Sequence, residues 1–190
     1  MVDVIAETDR LRLTTWSREM KAEFVRRLNT PAVMRWLGGV QDQAAYEAGF
    51  DRIEAYQREH GHTFWALERK EDGALLGFCG LKRVNSAGAP NIGDFEIGWR
   101  LREDAWGRGY AKEAAIASLD LAFGKFAAPH VVALTVAGNE TSQGLMNRLG
   151  MTRRPDLDFD CSDPWAADRV IVYRIDANEW PDAREAALSA

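Results

Sequence analysis

FEIGWRLREDAWGRGYAKEAAIASLDLAFGKF, residues 95–126, changes its periodicity part-way along, and that change decides the fold. Phe95, Ile97, Trp99 and Leu101 alternate with Glu96, Gly98 and Arg100, the period of a half-buried strand. From Tyr110 onward, Ala111, Ala115, Ser118, Leu119, Ala122, Phe123 and Phe126 fall at three- and four-residue spacing, the apolar stripe of a long helix. Ala105-Trp106-Gly107-Arg108-Gly109-Tyr110-Ala111 joins the two.

That join has a chemical use. Glycines let backbone approach a ligand closely and adopt dihedrals other residues avoid. A helix starting directly behind them aims unpaired amides at whatever the turn encloses, and such amides favour phosphate oxygens. A bare Gly-x-Gly is more often only a tight strand-to-helix turn, so the spacing has to decide. A Walker-type loop requires Gly-Lys followed by Ser or Thr, whereas Gly109 is followed by Tyr110. A dinucleotide fingerprint requires a third small residue where Lys112 stands.

The pattern that fits is Q/R-x-x-G-x-G/A, laid on Trp106 to Ala111 with Trp106 in the place of Gln or Arg. It resembles the pyrophosphate loop of the GNAT superfamily of acetyl-CoA-dependent N-acyltransferases. The fuller string EIGWRL…AWGRGYAKEA is most similar to the branch containing the ribosomal-protein N-terminal alanine acetyltransferases. The resemblance runs from Arg10 to Trp180. It implies an α/β fold with a mixed, mostly antiparallel central sheet, splayed between its fourth and fifth strands and covered by helices on both faces. It implies acetyl-CoA as co-substrate, no metal, and direct transfer to a primary amine in a ternary complex. Ile97, Trp99 and Leu101 would pair with the pantetheine arm. Trp106, Gly107, Arg108, Gly109, Tyr110, Ala111 and Lys112 would surround the pyrophosphate, chiefly through backbone amides from Gly107 onward.

A second segment carries the resemblance. Asn139, Ser142 and Gly150 hold family positions, while Met146 takes the place of a frequent Tyr and Met151 that of an aromatic residue. An amine attacking a thioester needs a donor for the developing oxyanion and a proton for the leaving thiolate. With Tyr absent, Ser142 is the candidate proton donor, and Asn139 and Ser142 are candidate coenzyme ligands. Both also read as ordinary helix-start residues, Asn139 as an N-cap and Ser142 bonded to nearby backbone. The acceptor ammonium must lose a proton, and Glu96 is the first choice of base. By alternation Glu96 lies opposite Ile97 and Trp99, on a face that is either functional or solvated. Glu68 is the runner-up.

Composition bounds the rest. The chain has 190 residues, 46% hydrophobic and 28% charged, with a formal charge of -5. These values suit one globular domain, residues 1–190 with a core of about 10–180, and argue against a broad nucleic-acid surface. Cys79 and Cys161 do not make a disulfide framework or a zinc site, and Cys79 reads as a small buried hydrophobe. No stretch has the length of a membrane span or signal core, so a cytoplasmic protein is expected. Dimers being the commonest assembly, a homodimer stays open.

In chain order, Arg10–Trp16 reads as the first strand, 18–28 as a helix capped by Ser17, Pro31–Met34 as a short helical turn, and 43–59 as a second helix. The aromatics Trp36, Phe50 and Tyr56 read first as helix packing, and the resemblance lets them line an acceptor pocket. His60-Gly61-His62 reads as a loop, not a metal site. Phe64–Glu68 and Leu75–Leu81 form a hairpin about Glu71–Gly73. Val131–Val136 is a buried strand, 140–149 a helix closed by Gly150, Met151–Arg153 a short strand and Val170–Ile175 the last one. The acidic run 155–164 is either a solvated loop or a cover attracting a cationic acceptor. The tail after Trp180 reads as frayed. The expected activity is N-acetyl transfer to a primary amine, possibly a protein N-terminus. The alternatives are a small amine (antibiotic, polyamine or amino acid) or a non-catalytic acyl-CoA-binding domain.

Overall fold

The structure is a computed structural model describing residues 2–166 and 169–189. The strands are β1 (Val4–Glu7), β2 (Leu11–Thr14), β3 (Phe64–Arg69), β4 (Leu75–Arg83), β5 (Phe95–Leu101), β6 (His130–Val136), β7 (Thr152–Arg153) and β8 (Val170–Asp176). The helices are α1 (Arg18–Leu28), α2 (Gln43–His60), α3 (Tyr110–Asp120), α4 (Glu140–Arg148) and α5 (Trp180–Ser189). One sheet takes all eight strands in the order β1-β2-β3-β4-β5-β6-β8-β7. Every neighbouring pair is antiparallel except β5 and β6.

Local chemistry sets the element ends. Ser17 accepts from the Met20 amide at 3.1 Å and starts α1, and Asp42 accepts from the Ala45 amide at 2.8 Å and starts α2. Gly61, at φ 71°, ends α2 in the left-handed conformation, so the His60–His62 segment is a helix stop leading into β3. His62 is buried, with Nδ1 3.0 Å from the Leu81 carbonyl, and burial lowers its pKa. It is a neutral structural imidazole.

The strand period assigns side chains to two layers. Trp65, Leu67, Cys79, Leu81 and Ile97 pack with Leu119 of α3 and Leu145 of α4. Ala66 and Phe78, pointing the other way, pack with Phe24 and Leu28 of α1 and with Tyr46 and Phe50 of α2. Helices therefore cover both faces.

Two expectations change. Val4–Glu7 is an additional edge strand, pairing Val4 with Thr14 and Glu7 with Arg12, so the splayed strands are the fifth and sixth. Four residues were too few to show alternation. Pro31–Met34 is the short helical turn expected, closed by the Met34 amide on the Thr30 carbonyl at 2.9 Å, within a longer run of turns. The tail is not frayed: α5 is docked, with Trp180 only 4% exposed and Ala187 1% exposed. The Trp180 indole donates to Asp120 at 2.9 Å, Arg184 pairs with the same carboxylate at 2.8 Å, and Lys112 Nζ donates to the Ala187 carbonyl at 2.9 Å. Its small apolar contacts looked like surface because alanine carries little hydrophobic signal. Trp180→Ala should lower unfolding free energy by about 3 kcal/mol, the usual cost of emptying a buried aromatic site. Urea denaturation checks this, and a loss below about 1 kcal/mol would mean that α5 is only loosely attached.

Candidate active site

The parallel pair β5–β6 is joined only at its start, where Phe95 faces Val131 and Glu96 faces Val132. Beyond Glu96 the strands part, leaving a wedge that widens toward Leu101 and Val136. The β4 ladder shows which β5 groups face it. Val84 donates to Asp94, and Arg102 donates to Leu76, so the even-numbered residues between them spend their backbone groups on β4. The amides and carbonyls of Ile97, Trp99 and Leu101 therefore point into the wedge, while the Ile97 and Leu101 side chains are buried in the core. The Leu101 carbonyl is already taken by the Trp106 indole at 2.8 Å. Ile97 and Trp99 keep a strand-like edge for an extended ligand.

At the wide end lies the glycine turn. Gly107 and Gly109 have φ of 70° and 79°, and Gly109 caps α3 without a side chain. No amide from Gly107 to Lys112 donates to an acceptor among the described residues. These amides point outward in succession at a helix start, the arrangement that holds phosphate oxygens. The side chains there differ in how free they are. Trp106 is half-exposed and bonded to Leu101, Arg108 is exposed, Tyr110 is buried, and Lys112 is spent on α5. The turn is braced from below by Arg10, which donates to the Arg108 carbonyl at 3.1 Å, pairs with Glu113 at 2.6 Å and lies over the Tyr110 ring. A Cβ added at Gly109 would meet only the end of the Arg10 side chain at 3.4 Å, so crowding is not what demands glycine there. The positive φ is.

The start of α4 flanks the same wide end. Asn139 and Ser142 exchange bonds: the Ser142 amide donates to Asn139 Oδ1 at 3.3 Å, and Asn139 Nδ2 donates to Ser142 Oγ at 3.2 Å. Asn139 is thus an N-cap, and the Ser142 hydroxyl keeps its own proton to give. Met146 is 2% exposed, a core residue.

On the α1–α2 face of the sheet lies an open cleft of about 610 Å³. Its walls include Ala45, Tyr46, Gly49, Phe50, Ile53 and Tyr56, so the apolar face of α2 is a cleft wall as well as a packing surface. Of the three aromatics expected here, Phe50 and Tyr56 line it. Trp36 instead lies against Gly138, where a Cβ would meet its ring at 2.7 Å. Sequence reasoning missed Phe24, Phe78, Lys82 and Arg100, which also line the cleft. The signal was present in β5: Arg100 shares a strand face with Glu96 and Gly98.

Glu96 sits at the apex of the wedge, 8% exposed, on the same strand face as Arg100 but behind Lys82 and outside the residues that line the cleft. Burial raises its carboxyl pKa, against the pull of Lys82, whose Nζ is 3.4 Å away. Its Oε2 has no hydrogen-bond partner among the described residues. Glu68, the other candidate base, is paired with Arg12 at 3.3 Å and faces Leu75 at the opposite end of β4. The Lys82 row is seven residues further along, about 23 Å away at strand spacing, so Glu68 is not at this site. The acidic run does reach the cleft through Asp163 and Pro164. Its charges are satisfied, however: Asp156 by Arg154, Asp158 by Arg153, Asp160 by Arg169, and Asp163 by the Ala87 amide. It covers the cleft without offering a free carboxylate. Burial pushes the Cys79 thiol up to about 12, so this sulfur is no nucleophile.

Residues 10–152 match the family model of the acetyltransferase (GNAT) domain. The chain belongs to that family. As a GNAT acetyltransferase it is an acyltransferase, and acetyl-CoA is the co-substrate of the family. It is 31% identical over 145 residues to the uncharacterized protein YkkB of Bacillus subtilis, spanning 76% of this chain and 83% of that one. An acetyltransferase structure from Agrobacterium tumefaciens superposes with TM-score 0.75 at 28% identity, covering 90% of this chain and 92% of the other. A candidate ribosomal-protein-serine acetyltransferase from Vibrio cholerae superposes with TM-score 0.72, covering 90% of this GNAT chain and 95% of its own. At 17% identity that likeness is one of fold. No helix among the described residues is long and apolar enough to cross a membrane.

The backbone geometry ranks substitutions in this GNAT turn. Gly109→Val, forced toward a dihedral that β-branched residues avoid, should weaken acetyl-CoA binding at least about tenfold, or 1.4 kcal/mol. Arg108→Ala, which removes an exposed side chain, should change it less than about threefold. Calorimetric titration with acetyl-CoA checks both, and the reverse order would show that side chains, not amides, hold the coenzyme.

Proposed function

We propose that this chain is an acetyl-CoA-dependent N-acetyltransferase that moves the acetyl group directly to the primary amine of a small molecule. In this reading the thioester lies in the wedge, between the amide turn at one end and the cleft at the other. The observation that carries the small-molecule reading is the rim that bridges one side of the open cleft. The 34–41 turn and the 163–165 loop meet over it, with a Cβ at Gly38 falling only 2.4 Å from the Pro164 carbonyl. A protein N-terminus would have to thread beneath that rim, whereas about 610 Å³ suits a compact ligand.

The chemistry follows from named groups. The acceptor nitrogen attacks the thioester carbonyl carbon, the C–N bond forms, and the C–S bond breaks. Glu96 takes the acceptor's proton, directly or through water. Burial raises its pKa, which makes it a stronger base than an exposed carboxylate. Ser142, held by Asn139, is the group we assign to return a proton to the thiolate. Direct transfer is supported by the state of the thiols, since burial raises the pKa of both Cys79 and Cys161 and leaves neither activated to carry an acyl group.

Release of free coenzyme A thiol from acetyl-CoA, measured against small amines and against short peptides with varied N-termini, tests the assignment. Release with small amines is expected. Release with peptides alone would overturn the small-molecule reading, and silence with both while acetyl-CoA binds would overturn N-acetyl transfer.

The base has its own signature. Glu96→Gln should lower kcat/KM by about 10²–10⁴ and abolish the acid limb of the pH profile, which in the parent rises as Glu96 ionises. The sign for stability is opposite to that of a salt-bridged carboxylate. A folded pKa above the unfolded one makes the protein most stable below the unfolded value, and stability is lost as pH rises through the folded value. The Glu96→Gln protein should therefore unfold at neutral pH at a temperature no lower than the parent. Ser142→Ala should reduce kcat while leaving the dissociation constant of acetyl-CoA in place.

A further inference from the structure

The charges lining the acceptor cleft do not balance. Arg52, Lys82 and Arg100 supply cations, and Asp163 is the acid among the described lining residues. Two of these four are committed. Asp163 accepts from the Ala87 amide at 2.9 Å, and Lys82 lies between Glu96 at 3.4 Å and Asn85 Oδ1 at 3.1 Å. Arg100 is different. Its Nε is sealed from solvent with no hydrogen-bond acceptor among the described residues. The guanidinium lies 5.3 Å from the centre of the Phe78 ring and 5.9 Å from that of Phe24. The polar group set beside it is the Tyr46 hydroxyl, which is neutral. No carboxylate among the described residues forms a salt bridge with it.

An arginine stays charged in a protein, so burial cannot neutralise it as it would a lysine. Arg100 is partly buried, and its sealed Nε and aromatic walls leave it less hydrated than a surface guanidinium, a deficit that an anionic ligand would offset. It also lies in register with the chemistry. Glu96, Gly98 and Arg100 follow one another on the cleft face of β5, at about 6.6 Å per step. Gly98 leaves the floor between them open, covered by the Phe64 ring, which a Cβ would meet at 2.8 Å. The strip thus offers a base at the wedge apex, a flat apolar floor, and a fixed cation beyond it.

We propose that the acceptor is an amino carboxylate: an apolar molecule whose primary amine reaches Glu96 while its carboxylate seats on Arg100. This rests on the N-acetyl transfer reading above and names the acceptor class for the same site. A carboxylate fits better than a phosphate because one guanidinium is free at depth, and its planar fork matches a planar monoanion. Phe24, Phe50 and Phe78 receive the apolar part. The same charges select against polyamines and other polycations, which would meet Arg52, Lys82 and Arg100. They also favour the reactive form of the acceptor, since nearby positive charge lowers the pKa of an ammonium. The product is the N-acetylated amino carboxylate, formed by the bond exchange already described.

Binding to the acetyl-CoA-loaded protein separates this proposal from catalysis. Calorimetric titration with 3-phenylpropanoate and with its uncharged amide compares one apolar shape with and without the carboxylate. The carboxylate should bind at least about tenfold tighter than the amide, and Arg100→Gln should erase that ratio. Equal affinities, no binding of either, or a preference that survives Arg100→Gln would overturn the proposal. The parent protein alone decides the first two, so a variant that fails to fold does not block the test. Thiol release is then compared for apolar amino acids and their amides. A carboxylate preference in kcat/KM is expected, and transfer favouring the amides would also overturn it. If 3-phenylpropanoate binds as expected but no amine in the earlier panel is acetylated, the N-acetyl transfer reading fails while the carboxylate seat stands.

Discussion

Two parallel strands that stay paired for two residues and then separate are the constraint on which the rest of this molecule depends. A sheet interior does not tolerate unpaired backbone groups, because each buried amide or carbonyl without a partner loses its hydration for nothing. Parting β5 from β6 is therefore stable only if the open edges face solvent, a side chain or a ligand. The chain uses all three. Trp106 closes the Leu101 carbonyl, the Ile97 and Trp99 groups are left along the edge, and α3 begins at the wide end with unpaired donors while α4 begins there capped by Asn139. The wedge also opens a passage between the two faces of the sheet, from the helix starts on one side to the cleft beneath α1 and α2 on the other.

Most of this framework was legible in the sequence because it rests on strong periodicities. The alternation of residues 95–101 and the three-to-four spacing after Tyr110 place β5, the glycine turn and α3, and the turn's spacing leads to the family. What escaped has a physical reason in each case. Val4–Glu7 is too short for a period. Trp180–Ser189 buries itself with one tryptophan and small alanines, and its polar anchors, Asp120 and Lys112, lie far away in the chain. The acidic run 155–164 looked like a charge reservoir because the arginines that neutralise it, Arg153, Arg154 and Arg169, lie outside its limits. Arg100 was visible as a residue but not as an unpaired one, since pairing is a property of three dimensions.

The charge distribution shows how little a global total says about a site. The chain carries a formal charge of -5, which read alone suggests a partner of positive charge. Locally the balance is inverted. The acids of the 155–164 run are matched on the surface, while the acceptor cleft holds more cations than free anions. Selectivity arises from that local field, because the low-dielectric walls of a cleft strengthen nearby charges and solvent screens distant ones.

The brace beneath the glycine turn has a consequence for how the protein is made. Arg10 meets the Arg108 carbonyl across 98 positions of chain, and Thr8 meets Glu113 across 105. Contacts so distant in sequence require large loops to close before they can form, and such closures are slow. During synthesis β2 emerges long before the turn it supports and waits unpaired on that side. The amides of the glycine turn thus acquire their final shape only when the beginning of the chain and its middle have met. Competence to bind the coenzyme is a late event of folding, and a ligand that binds only the finished turn pulls the folding equilibrium toward it.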